Sequence, residues 1–251
     1  MPTLALHIEY DGSDFCGWQI QPNGRTVQQE LADVLKSFLG IEQNPTGAGR
    51  TDSGVHARQM TATVDVENQL IIPEEKLAKA LNTQLPEDIR IHAAKLFDAK
   101  FNARFDAIAR EYSYHLTKYP IAIERKHVVH YKYPFDEEKL LQSAGVFLGE
   151  HDFTTFSKHN PETKNNLCTI EKCEWNVVGE GRYRLEIKAN RFVYGMVRSL
   201  TGAMLDTARG KSSIEELNSK LEAKDRKLSP PLAPARGLIF EKAYYPSEFS
   251  F

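Results

Sequence analysis

An α+β fold built from two β-α-β-β-α-β halves is what the order of elements along the chain predicts. Three observations lead there: a strand-then-helix opening with a helix cap between them, short alternating apolar runs punctuated by glycine and proline, and a second pass through the same order. Residues 3 to 10, TLALHIEY, read as a strand. Thr26 followed by Gln29 is a capping-box pair ahead of VQQELADVLKSFL, whose apolar residues recur at helical spacing. A glycine-rich segment, TGAGRTDSG, follows, with a short strand expected before Gly47, and QMTATVDV then alternates as a strand. Pro73 opens the helical run EEKLAKALNTQL, and DIRIHAAKLF is the next strand.

The second pass begins with the strand REYSYHLTKY and the helix EEKLLQSAGVFLG, with Asp136 as its N-cap. Two strands, CTIEKCEWNVV and RYRLEIKAN, come next. A helix from about Phe192 places Val193, Met196, Val197, Leu200 and Met204 on one face, and GLIFEKAYY closes the series as a strand. Each pass has the ferredoxin-like order, so the expected halves are residues 1–109 and 110–251. A short helix capped by Ser213 with Glu216 and a Pro-rich loop are extra, and KHNPETKNN is the loop expected to move most.

With 41% hydrophobic and 26% charged residues, the 251-residue chain lies inside the globular range, which excludes disordered and collagen-like classes. It has no apolar run long enough for a membrane span, and its start, MPTLALHIEY, lacks the pattern of a signal peptide. Cys16, Cys168 and Cys173 have neither metal-ligand nor disulfide-framework spacing, which points to reduced thiols in a cytoplasm. Lys plus Arg number 32 against 34 Asp plus Glu, a net charge of −2 that by itself neither requires nor excludes a polyanion partner. The distribution is more telling. From Arg182 to Lys211 seven cations stand against Glu186 and Asp206, a stretch that could face phosphates or form an ordinary solvated surface.

The densest chemical feature is GAGRTDSGVHAR, residues 47 to 58, with three glycines, two arginines, one Asp and one His between expected strands. A nucleotide-binding P-loop is disfavoured as its reading, because the Lys followed by Ser or Thr is missing and no helix pattern follows at once. Taken alone, a glycine turn in which Asp52 bonds its own backbone accounts for it equally well.

The wider context separates these readings. Gly49-Arg50-Thr51-Asp52-Ser53-Gly54-Val55-His56 resembles the central signature of the TruA-type tRNA pseudouridine synthases, G-R-T-D-x-G-V-H. Further blocks match in family order: YDGSDFCGWQIQ, TVQQEL, LNTQLPEDI, FNARFDAIAREYSY, HDFTTF and KANRFVYGMVRSLTG. The resemblance implies a pseudouridine synthase fold in which two antiparallel sheets adjoin, with a central active-site cleft and Asp52 on its floor. It also implies isomerisation of uridine to pseudouridine at positions 38, 39 and 40 in the anticodon stem-loop of tRNA. Asp52 is then the catalytic carboxylate, which could attack the base, attack the sugar or act on the C2′ proton.

The same resemblance makes Tyr112 the ring that stacks on the target base and Arg198 the arginine that pairs with the catalytic carboxylate. Arg50 enters the space left when the base flips out. Tyr114, of the same parity as Tyr112, is assigned to packing. His56 reads as a structural hydrogen-bonder and Asp11 as a turn residue. No metal is expected, because no Cys or His pair has ligand spacing, and the reaction calls for no cofactor. The implied partners are tRNA and a second copy of the chain in a homodimer, with no membrane and no DNA. A noncatalytic RNA-binding module with the same element order is the rival class, but no RNP-like aromatic run stands on a central strand. A nucleotide-dependent transferase would depend on added ATP or GTP.

Overall fold

A computed structural model of the chain describes residues 2–66, 70 and 72–251. Contacts group Met1–Ile108 with Ile239–Phe251 as one unit and Ala109–Leu238 as a second. The first unit runs β1 (Thr3–Tyr10), α1 (Val27–Leu39), β2 (Thr46–Gly47), β3 (His56–Asp65), α2 (Glu74–Asn82) and β4 (Ile89–Phe97), which is the expected β-α-β-β-α-β order. Its strands lie in the order β4-β1-β3, all antiparallel, with the short β2 on the far side of β3 opposite Thr63 and Ala62.

Period-two burial explains β1. Leu4, Leu6, Ile8 and Tyr10 are all buried, as are Leu31 and Leu35 of α1 and Leu77 and Leu81 of α2. On the other parity, Ala5 packs with Phe97 and Phe101 beneath Tyr245 and Phe249, the last stacked on Phe101 at 4.3 Å. The α1 cap is half of the expected box: Thr26 accepts from Gln29 N–H at 3.4 Å, while the Gln29 side chain donates to Asp33 at 2.8 Å instead.

The second unit contains β5 (Ala109–Thr117), β6 (Val129–His130), α3 (Glu137–Ser143), β7 (Gly149–Asp152), β8 (Leu167–Gly179), β9 (Arg182–Ala189), α4 (Met196–Ala208) and α5 (Ile214–Ala223). Its strands order as β5-β9-β8-β7, and β6 lies parallel to β5. Asp136 caps α3 as expected, accepting from Lys139 N–H at 3.2 Å, and Ser213 with Glu216 forms a complete capping box on α5. Details differ from the sequence reading, which expected no strand at β6 or β7. The helix expected from about Phe192 begins at Met196, because Gly195 takes a left-handed φ of 72° and interrupts the helical path. EEKLLQSAGVFLG divides into α3 and a 3-10 turn over Ala144–Phe147.

The last strand, β10 (Leu238–Tyr244), runs parallel to β3, with Ile239 opposite His56 and Lys242 opposite Gln59. Among the described residues no helix is long and apolar enough to cross a membrane. All three cysteines are free thiols, and burial pushes Cys168 up to about 11 and Cys173 up to about 12.

Candidate active site

Asp52 occupies a tight turn at the entrance to β3. Its carbonyl accepts from Val55 N–H at 3.1 Å, and Gly54 supplies the left-handed φ of 77° that closes the turn. Thr51 is buried, Asp52 half-buried and Arg50 exposed. A second loop, residues 11–18, is laid directly against this turn. Asp11 shapes that loop, accepting from Ser13 N–H at 3.0 Å and Ser13 Oγ–H at 2.6 Å, the turn role its sequence suggests.

Two glycines permit the contact. A Cβ on Gly12 would lie 2.0 Å from the Val55 carbonyl oxygen, and one on Gly17 would lie 2.5 Å from that of Thr51. Because the backbones can approach, hydrogen bonds bracket Asp52 on both sides. Trp18 N–H donates to Thr51 O at 3.1 Å, Gly54 N–H to Phe15 O at 3.4 Å and Ser53 Oγ–H to Phe15 O at 3.1 Å. The Tyr10 hydroxyl and Thr51 Oγ1 are 2.8 Å apart. Buried His56 places Nδ1 3.0 Å from Gly12 N and 3.1 Å from Asp11 Oδ1, which ties the start of β3 to the 11–18 loop.

A further brace reaches Phe15 from distant sequence. Arg25 lies over the Phe15 ring at 4.2 Å and grips both oxygens of Asp88 at 2.5 and 2.9 Å. Asp88 O in turn accepts from Asp11 N–H at 3.0 Å. The blocks YDGSDFCGWQIQ, TVQQEL and LNTQLPEDI therefore converge on the support of one turn. The sequence reading assigned no part in this support to Gly12, Gly17, Arg25 or Asp88; the signal was the presence of all four in or beside the matching blocks.

Tyr112 and Arg198 belong to the second unit. Tyr112, on β5 opposite Ile187, is 8% exposed and meets the Phe192 ring edge-on at 5.1 Å. Arg198, half-buried on α4, donates from Nε to Ala233 O at 2.8 Å, and Ala233 N–H returns a bond to Arg198 O at 2.9 Å. Tyr114 donates to the adjacent Pro234 O at 3.0 Å and lies against Trp175, so its packing assignment holds. Burial raises the Tyr114 hydroxyl pKa, and the nearby positive charge of Arg198 opposes that shift. The Pro-rich loop, read from sequence only as a connection, thus anchors the arginine.

The cationic stretch is less cationic in space than in sequence. Along β9 Tyr183, Leu185, Ile187 and Ala189 are buried, which turns Arg182, Arg184, Glu186 and Lys188 to the opposite face from Tyr112. There Arg184 pairs with Glu186, Lys188 with Glu171 at 2.8 Å, and Arg182 with Glu124 at 2.6 Å. Asp206 lies 3.4 Å from Lys211 and 3.9 Å from Arg209.

The sequence places the chain in a class of enzymes that rearrange a nucleobase on its sugar. The sequence profile described as tRNA pseudouridine synthase matches residues 6–106 and 144–246, and the chain belongs to that family, whose members isomerise uridine to pseudouridine in tRNA. Asp52, Arg50 and Arg198 fall inside the matched spans and Tyr112 between them. Among its relatives are proteins named tRNA pseudouridine synthase A. That of Azobacteroides pseudotrichonymphae is 38% identical, with 98% of each chain covered. That of Halalkalibacterium halodurans is 39% identical over 95% of this chain and 91% of its own, and that of Bacillus subtilis 37% over 96% and 98%. A solved Cbf5-Nop10-Gar1 complex aligns with 94% of this chain and 57% of the matched chain at 12% identity, with a TM-score of 0.37, too remote to bear on the geometry of the site.

Proposed function

We propose that this chain converts uridine to pseudouridine at positions 38, 39 and 40 of the tRNA anticodon stem-loop, with Asp52 as the catalytic carboxylate. In that conversion the N1–C1′ bond breaks, the base turns over and a C5–C1′ bond forms. The C5 proton leaves and N1 gains one, so the exchange balances without a redox partner. It needs a carboxylate held in one place beside the reacting ring, since misplacement by about 1 Å can cost about 10²-fold in rate. The observation that carries the reading is the brace itself: residues 51, 53 and 54 are each hydrogen-bonded to the 11–18 loop, which fixes the backbone on both sides of Asp52.

In this reading Arg50 fills the stack after the base leaves it, Tyr112 contacts the flipped base, and Arg198 is the arginine that the family resemblance assigns to the catalytic carboxylate. The chain acts in the cytoplasm as a homodimer, with one tRNA touching both subunits. The test is pseudouridine mapping in tRNA from cells lacking the chain, complemented with wild type or with Asp52→Asn. Pseudouridine at positions 38 to 40 should vanish and return only with wild type. Its persistence in the deletion, or its return with Asp52→Asn, overturns the proposal.

A further inference from the structure

We propose that Arg104 and Phe105 form a stacking platform for an unpaired nucleobase of the RNA, separate from the turn that carries Asp52. The inference rests on tRNA being the substrate and adds a point of contact to that reading. At 77% exposure Phe105 is the most exposed Phe, Tyr or Trp among the described residues. The backbone that presents it is nevertheless fixed. Phe101 N–H donates to Thr3 Oγ1 at 3.2 Å, and fully buried Ala103 donates to Thr63 Oγ1 at 3.0 Å and accepts from the Tyr245 hydroxyl at 2.8 Å. Asn102 Oδ1 accepts from both Arg104 N–H and Phe105 N–H at 3.0 Å. Asp106 closes the turn, its carboxylate accepting from Asn102 N–H at 2.7 Å and its own N–H donating to Asn102 O at 3.0 Å.

A rigid turn therefore holds an aromatic face in solvent, with the Arg104 guanidinium 5.6 Å from the ring centroid. The carboxylate nearest in sequence on the C-terminal side, Asp106, is directed into the turn. A flat cation beside an open ring matches a nucleobase and its phosphate: the ring stacks on any base, and the guanidinium attracts the backbone. Fixing the ring beforehand reduces the entropy lost when a base lands on it.

The test is titration of the full chain with unmodified tRNA, comparing wild type with Phe105→Ala, Phe105→Leu and Phe105→Trp. Stacking energies of this kind predict Kd values about tenfold higher for Ala and Leu. The Trp variant should keep its affinity and show extra indole fluorescence that tRNA quenches. Wild-type affinity in the Ala or Leu variant overturns the inference, because a merely apolar or idle side chain would behave so. Conversion of free Phe105→Ala from dimer to monomer in sedimentation overturns it too, placing Phe105 at a contact between copies. Failure of wild type itself to bind tRNA would remove the substrate reading and this inference with it, a result distinct from the other two.

Discussion

The turn around Asp52 and the strand from Arg182 to Ala189 are held by opposite means. Main chain holds main chain in the turn: two glycines let the 11–18 loop approach until carbonyls and amides pair across it. On the strand, charges are held by other charges, Arg184 by Glu186 and Lys188 by Glu171, on side chains that remain partly in solvent. The first arrangement is stiff and intolerant of added atoms. The second tolerates replacement, because exposed ion pairs contribute only about 0–1 kcal/mol each. Position is therefore built where main chain meets main chain, and a row of like charges in sequence need not become a surface of like charge in space.

The largest effect should come from Asp52→Asn. The substitution keeps size and turn geometry and removes the charge, so turnover should fall by about 10²–10⁴-fold or more while tRNA affinity stays near wild type. Single-turnover assays with a binding titration separate the two quantities. Near-normal turnover would mean that the braced turn positions something other than the reacting group.

Next in size is Gly12→Ala. Its Cβ would sit 2.0 Å from the Val55 carbonyl oxygen, a backbone atom that cannot swing aside, so the two loops must part. Overpacking of this kind costs about 1–3 kcal/mol, and the displaced turn should lower turnover by about 10²-fold. Gly145→Ala is the matched control, since nothing lies within 4 Å of its Cβ. Thermal melts and rates for the pair sharpen the contrast; equal behaviour would show that close approach of the loops is not what holds Asp52.

How much of this was legible in the sequence follows from the same contrast. The first β-α-β-β-α-β order, the caps at Thr26, Asp136 and Ser213, and the turn role of Asp11 were readable because each depends on residues close in the chain. The blocks around Asp52 stood out as matches, yet the reason for Gly12 and Gly17 did not. A close approach between residues 12 and 55 is long-range, and a glycine does not say what comes near it. Which cations of the 182–211 stretch are paired was not legible for a complementary reason: strand alternation and partners as distant as Glu124 and Glu171 decide it. The left-handed turn at Gly195, which delays α4, lay hidden inside an apolar pattern that continues smoothly through it.

A smaller effect is expected at Tyr112. Tyr112→Phe keeps the ring and its edge contact with Phe192 at 5.1 Å, so folding and tRNA affinity should be retained. The rate should fall about tenfold, because only the hydroxyl can exchange a proton or a hydrogen bond. Since the ring is just 8% exposed, a core role is the competing account. A wild-type rate for Phe combined with a lowered melting temperature for Tyr112→Ala would decide for the core.

The smallest effect, and the one that tests the strand side of the comparison, is expected from Lys188→Ala. Counterion release makes tRNA affinity fall as salt rises, and each phosphate contact removed reduces that slope by about one. Lys188 lies opposite Glu111 on the face away from Tyr112 and pairs with Glu171 at 2.8 Å. It should therefore leave both the affinity and the slope unchanged. Arg104→Gln, which removes a cation from the solvent-facing turn, should lower the slope. Affinity must be measured for both variants across a salt series, because a single salt concentration cannot distinguish a lost phosphate contact from a small change in stability. If Lys188→Ala reduces the slope as much as Arg104→Gln does, the far face of β9 also meets RNA and its ion pairs open on binding. The difference between a charge on a turn fixed by backbone and one fixed by another charge would then disappear in the complex.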